Sequence, residues 1–515
     1  MAIRMTGLVS GMDTESLVKE LMNAERLKST KVQNNITKLE WTQEKWKDLN
    51  TKIYSFYTGV LSKARLSSSY LTKKATSSNT SKLDVTAQYT APTGTHKVKV
   101  EAMASAQYVT GAKVEITAAT KLTDIGFSEG DEINITVGGI KAEPFKITDK
   151  STVADFIKSL KDAGLNANFD STHKRIFISS KETGLDNAFT IEANTVNANT
   201  ENANTENGGV NLAGLGLNEI IKNEDGILVE SGNAKMSLVH ASDAKFTYNG
   251  REFTSSSNNI SVNGLNFTIK GITAADEELS ITINNDTQAV YDMIKGFVTS
   301  YNELLKEMNE AYYADHARGY DPLTDEEKEA MTDEQVEKWE KKIKDSLLRR
   351  DNSLYSVINA LKTSMGQRVN VNGKNYSLTS FGITSPDYTE KGLLHINGDS
   401  ESTLVGLKDN ELMEALTEDP ETVMQVFTEL AGNLYNTMTD QMKSTSLSSA
   451  LTFYNDKQMK NTLDDYKDEL SRLEERLSKV EERYYKQFAA MERALSQANS
   501  QSSSILSLLG MNTGQ

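Results

Sequence analysis

The sequence predicts a multidomain α+β protein: a helical/coiled-coil stem formed by both termini, with two β-rich domains inserted between them. Three observations carry that expectation. Apolar residues recur at helical spacing near both ends, the period changes to two across the middle, and 515 residues are too many for one hydrophobic core. The expected division is a terminal coiled-coil leg at 1–40 and 446–515 and a helical stem domain at 41–78 and 284–445. An inner β-rich domain is expected at 79–113 and 234–283, and an outer inserted β-rich domain at 114–233.

The stretch MTGLVSGMDTESLVKELMNAE, beginning at residue 5, opens the first helix. Asp13 reads as its N-cap, with Met12 and Leu17 placed for a hydrophobic staple and Glu15 favourable in the first turn. Leu17, Leu21, Ala24 and Leu27 form a stripe that needs another surface to lie on. Asp13, Glu15, Lys19 and Glu20 interrupt any apolar core, so no cleaved secretory signal is expected. Ile36, Leu39, Trp46, Leu49, Ile53, Phe56 and Val60 then predict a long amphipathic helix with a narrow seam, helical to about Leu71. TKKATSSNTSKLD, at 72–84, reads as a Ser/Thr-rich linker.

From there to about residue 284 the alternation is that of strands. THKVKVEA alternates around Val98 and Val100, and DEINITVGG through Ile133, Ile135 and Val137. Asn249-Gly250 and Asn263-Gly264 each lie between alternating runs and predict hairpins, because Asn-Gly accepts positive φ at both turn positions. One helix interrupts, STVADFIKSLKDAG, with Ser151 or Thr152 as cap and Gly164 as stop. With NANFD and KRIFISS it predicts a small β-α-β-β unit. The Asn-rich run 194–209 reads as a solvated loop.

At Asp286 the helical period returns, with a wide stripe from Val290 to Met308. Thr324 with Glu327 and Thr332 with Gln335 are successive capping boxes. Further helices are expected at about 351–366 and 420–439, with a hairpin at Asn372-Gly373 between them. The last element carries Met459, Leu463, Tyr466, Leu470, Leu473, Leu477, Val480 and Tyr484 at strict 4-3-4-3 spacing with charges between, which is a heptad seam. Its phase shifts by one at Phe488 and is expected to continue through Met491 and Leu495. Two narrow-seamed termini predict that the ends pair, with each other or with copies in neighbouring subunits. A lone two-helix rod leaves apolar surface exposed, which favours a seam completed by other molecules.

A net charge of −16 argues against nucleic acid as the main partner, and no apolar run is long enough to span a membrane. Charge is uneven, with thirteen basic against seven acidic residues in 1–75. The absence of cysteine excludes disulfides and thiolate chemistry. The five histidines are scattered and without metal-ligand spacing, and no nucleophile elbow, phosphate loop or zinc-protease motif occurs. DHARGYDPLTDEE does not keep the alternating acids of a calcium loop and reads as capped helices. An enzyme is not expected, and no cofactor or metal is implied.

Several segments in order resemble the bacterial flagellar filament-capping proteins, the flagellar hook-associated protein 2 family. They are GLVSGMDTESLVKELM, THKVKVEAMASAQ, SDAKFTYNGREFTSSSNNISVNGLNFTIKG, NNDTQAVYDMIKGFVTSYNELL, SFGITSPDYTEKGLLHINGDSESTLVGLKDNELMEALTEDPETVMQVF and the terminal coil. DPLTDEEKEAMTDEQVEKWEKKIKDSLLRRD resembles the charged helical segment of Gram-positive-type members. The resemblance implies an oligomeric ring at the distal tip of the flagellum, a pentamer in its commonest form, with a β-rich plate and helical legs. It implies flagellin, a hook–filament junction protein and a cytoplasmic export chaperone as partners, and export through the flagellar type III apparatus without a cleaved signal. On that reading Leu17, Leu21 and Leu27 would meet flagellin or a neighbouring cap subunit, and Leu463, Leu470, Leu473, Leu477 and Val480 would supply the facing seam. Rival readings are an adhesin binding a host surface through its β domains and another flagellar axial protein.

Overall fold

The computed structural model describes residues 13–194, 212–224 and 226–508. The chain forms two compact units, one from residues 1–70 and 287–515 and the other from residues 71–286. In chain order, the helices among the described residues are α1 (Thr14–Phe56), α2 (Ser62–Ala64), α3 (Val153–Asp162), α4 (Thr287–Tyr312), α5 (Asp325–Glu329), α6 (Asp333–Asp345), α7 (Asn352–Met365), α8 (Glu411–Glu418), α9 (Pro420–Gln441) and α10 (Asp456–Leu508).

In the first unit, α1 runs unbroken for 43 residues. The polar stretch before Ile36 holds no Gly or Pro, so nothing in it stops a helix. The winding widens into a π-helical turn at Tyr57–Leu61 before α2. Trp46, Leu49, Ile53 and Phe56 enter one large core with the apolar faces of α4, α7 and α9. Caps fix the entries to the later helices: Asp351 accepts from the Leu354 amide at 2.9 Å, and Asp419 precedes Pro420 at the first position of α9. Both successive capping boxes form, Thr324 with Glu327 and Thr332 with Gln335. The hairpin at Asn372-Gly373 pairs Val369–Val371 with Lys374–Tyr376. Helix α8 was not expected: it is eight residues long and contributes only Leu412 and Leu416 to the core, too few for a readable period.

The second unit is built from antiparallel sheets around two separate cores. A five-stranded sheet orders Lys73–Ser77, Leu279–Asn285, Gly94–Ala102, Ala244–Tyr248 and Arg251–Ser255. With a three-stranded sheet (Asn259–Val262, Leu265–Ile269, Leu83–Ala87) it encloses a core including Val98, Val100, Phe246, Phe267 and Ile281. Asn249 (φ 48°) with Gly250 (φ 79°), and Asn263 (φ 52°) with Gly264 (φ 76°), make the two hairpin turns. The second core gathers Ile133, Ile135, Phe156, Leu160, Ile176 and Phe189 beneath a six-stranded and a four-stranded sheet. Helix α3 covers it, capped by Thr152 in a reciprocal box with Asp155.

The segment read as a linker is partly strand. Lys73–Ser77 pairs with Leu279–Asn285 at the sheet edge, and Leu83 begins another strand. Its Lys, Ser and Thr suit an edge strand, where polar side chains discourage further pairing, and so hide it from a hydrophobic pattern. Met12 and most of the Asn-rich run, 195–209, lie outside the described residues.

Candidate functional site

The candidate site is built on two long paired helices, α1 and α10. Asp13 caps α1 as expected: it accepts from the Ser16 amide at 3.0 Å and from the Ser16 hydroxyl at 2.6 Å. Those Ser16 bonds hold the Asp13 carboxyl below its ordinary range. Helices α1 and α10 pair antiparallel within the chain. Val18 and Met22 meet Val480 near the start of α1, Lys467 bonds Glu40 at 3.2 Å further along, and Trp46 stacks on Tyr454 at 5.2 Å near the start of α10. Asn50 closes that end, its amide donating to the Leu451 carbonyl at 3.2 Å and its carbonyl accepting from the Phe453 amide at 2.9 Å.

The seam is phased differently from the leucine stripe. Leu17, Leu21 and Leu27 are 39, 42 and 70 % exposed, while Val18 and Met22 are buried. Val18, Met22, Val32 and Ile36 lie on a heptad that continues through Leu39 to Trp46 and Ile53. That heptad was the signal available in the sequence, masked by polar Glu25 and Ser29 at two of its positions. Val480 thus faces Val18 and Met22, not the three leucines.

On α10, Val480 is buried, and Leu477, Tyr484, Tyr485 and Phe488 pack partly against the same cluster. Leu463, Leu470 and Leu473 are only half-buried; Leu463 lines a groove beside Glu40, Gln43, Glu44 and Lys47 of α1. Beyond Phe488 the expected continuation fails. Met491 and Leu495 are exposed, and Glu492 occupies the buried position instead. One wall of a two-helix pair covers only one side of each seam residue, which is why leucines remain open on both helices.

The middle of α1 is braced as well. Lys38 pairs with Asp321 at 2.6 Å, and the Lys344 ammonium lies 4.5 Å from the Trp41 ring centre. The Trp339 indole N–H donates to the Asp321 carbonyl at 2.8 Å, so the segment read as capped helices grips α1.

No group of three or more His, Asp or Glu is placed to hold a metal among the described residues, and none of their helices is long and apolar enough to cross a membrane. Three of the histidines bond locally: His96 with Tyr248 and Asn249, His173 with Asp170, His395 with Ser402. The third of these continues to Glu390, whose carboxylate lies 3.5 Å from the other nitrogen of His395.

Comparison with known proteins matches residues 10–107 to the flagellar hook-associated protein 2 N-terminus and residues 241–500 to the flagellar hook-associated protein 2 C-terminus. The flagellar hook-associated protein 2 of Halalkalibacterium halodurans is 26 % identical over 559 aligned positions, covering 98 % of this chain and 99 % of the relative. The B-type flagellar hook-associated protein 2 of Pseudomonas aeruginosa is 23 % identical, covering 84 % of this chain and 82 % of its own. The crystal structure of the flagellar cap protein FliD D1-D2-D3 domains from Escherichia coli is similar in fold, with TM-score 0.50 and 20 % identity over 78 % of this chain and 97 % of that one.

Proposed function

The chain belongs to the flagellar hook-associated protein 2 family, and from that premise we propose that it caps the distal tip of the flagellar filament as a homo-oligomeric ring. There it retains exported flagellin and promotes its folding and insertion. The four-part division into leg, stem, inner and outer β domains is the working anatomy of that cap. The hook–filament junction protein and an export chaperone are its other partners, and the flagellar type III apparatus is its route out of the cell.

One observation supports this reading above others: a long intramolecular helix pair whose apolar surface is only half used. Leu17, Leu21 and Leu27 on α1 are exposed, and Leu463, Leu470 and Leu473 on α10 are half-buried. A neighbouring helix, from flagellin or from an adjacent cap subunit, covers them in the assembly. Each large side chain so buried contributes about 1.5–3 kcal/mol. A few such contacts hold a leg in place yet allow it to release and rebind as each subunit enters.

The test is genetic and structural together. A strain lacking the protein should bear hooks without filaments and shed monomeric flagellin into the medium, with filaments restored by adding the purified chain back. Leu473→Asp should leave the β unit folded, read by near-ultraviolet circular dichroism, while abolishing that rescue. Full rescue by the variant would refute the role of the open seam.

A further inference from the structure

Away from the leg, the helical unit holds a cavity of about 380 Å³ among α4, α7 and the segment 377–394. That volume is within the range of small-ligand pockets. Its charge is one-sided. Lys362 and Arg368 line it, and no Asp or Glu does. Neither cation makes an ion pair or hydrogen bond among the described residues. Two other cavities of the same unit show a contrast. In one, Lys295 is held by Asp399 at 2.9 Å and Glu401 at 2.8 Å; in the other, Lys45, Lys306 and Lys341 share the walls with Glu303, Glu307, Glu310 and Asp345.

Three further features bear on what this cavity can hold. Tyr301, fully buried in the core, lines the cavity, and its phenol has no hydrogen-bond partner among the described residues. Ser377, Thr379 and Ser385 line the same cavity, the hydroxyls of the first two bonded to each other at 2.7 Å. Gly392, at φ +96°, leaves its backbone bare beneath the Lys362 stem, where an added Cβ would stand 2.8 Å from Lys362 Cε. Burial, and secondarily the charge of Lys391, hold the Lys362 ammonium below the usual lysine range. An uncompensated cation in a partly dry site is costly until an anion joins it.

The remaining wall is apolar, formed by Met365, Leu378, Ile383 and Leu394. Inorganic phosphate would leave that wall uncovered. We propose that this cavity binds a carboxylate carried on an apolar body, of the kind presented by a peptide's C-terminal leucine. The carboxylate lies between Lys362 and Arg368, the Tyr301 hydroxyl donates to it, and the aliphatic group covers the apolar wall. This goes beyond the capping role and is read on the purified chain without filament growth.

The probe is N-acetyl-L-leucyl-L-leucine, titrated calorimetrically into the full-length protein. Saturable one-site binding is expected. It should weaken by about tenfold or more in Arg368→Gln and again in Lys362→Gln, and by roughly fivefold in Tyr301→Phe. The C-terminal amide of the same probe should bind at least about tenfold more weakly. Near-ultraviolet circular dichroism checks that each variant is folded, and Arg368, which is exposed, can be changed without disturbing the core. Absence of saturable binding, equal affinity for the amide, or unchanged affinity in the folded Lys362→Gln/Arg368→Gln double variant would each overturn the proposal. So would inorganic phosphate binding as tightly as the dipeptide.

Discussion

Helix α1 is one continuous helix in two environments. Between Trp46 and Phe56 its apolar side chains enter a core shared with α4, α7 and α9, surrounded on all sides. Between Thr14 and Met22 the same helix packs, among the described residues, against α10, in a cluster of three buried side chains edged by partly buried ones. The helix geometry is the same in both places; what differs is how many neighbours close over it. A many-sided core takes any apolar residue that points inward, whereas a two-helix seam takes one row and leaves the adjoining row in water. On the proposed capping role, that difference separates a permanent part from one that a neighbouring helix completes.

The largest effect should come from the core end. Trp46→Ala empties a fully buried position stacked on Tyr454 and should cost the helical unit about 3–5 kcal/mol. It should lower the main thermal transition of that unit. Met22→Ala, at the seam end, should cost only about 1–2 kcal/mol, because its surroundings are partly open and can collapse or hydrate. Its signature should be faster amide exchange near the start of α1, with the main transition unmoved. Equal shifts of the main transition in the two variants would break the comparison. Leu21→Ala sharpens it: half-exposed in the isolated chain, that side chain should change stability by less than about 0.5 kcal/mol. The same substitution should still impair filament growth if a neighbouring helix covers it.

The same contrast explains what was legible in the sequence. Features decided by adjacent residues were readable: the boxes at Thr324 and Thr332, the Asp13 cap, and the positive-φ turns at Asn249-Gly250, Asn263-Gly264 and Asn372-Gly373. The α10 heptad was also readable, since it repeats over many turns. The phase of α1 was not. Leucines at 17, 21 and 27 outweighed the row of Val18 and Met22 by composition, and only the presence of α10 decides between them. The edge strand Lys73–Ser77 was hidden for a related reason, its partner Leu279–Asn285 lying about two hundred residues away. The cation-only cavity could not be seen at all, because Tyr301, Lys362, Arg368 and Ser385 come together only in the folded unit.

The smallest expected effect concerns the exposed tip of the seam and its dependence on pH. Asp13 is capped onto Ser16, first through the side-chain hydroxyl and then through the amide, and both bonds favour the ionised carboxylate. Its folded pKa therefore lies below the ordinary value of 3.8. For a group depressed in this way, the stabilising contribution is complete above the unfolded pKa and disappears as pH falls through the folded one. Amide protection over residues 14–20 should accordingly be flat from neutral pH down to the ordinary carboxylate range and then decline. Asp13→Asn keeps an oxygen that can accept from the Ser16 amide but removes the charge, so the decline attributable to this cap should vanish. The core end of α1, measured at residues 46–56 in the same samples, should show no difference between the two proteins. A loss of protection on raising the pH, or a profile for the Asp13→Asn variant identical to that of the parent, would show that the cap does not govern the tip.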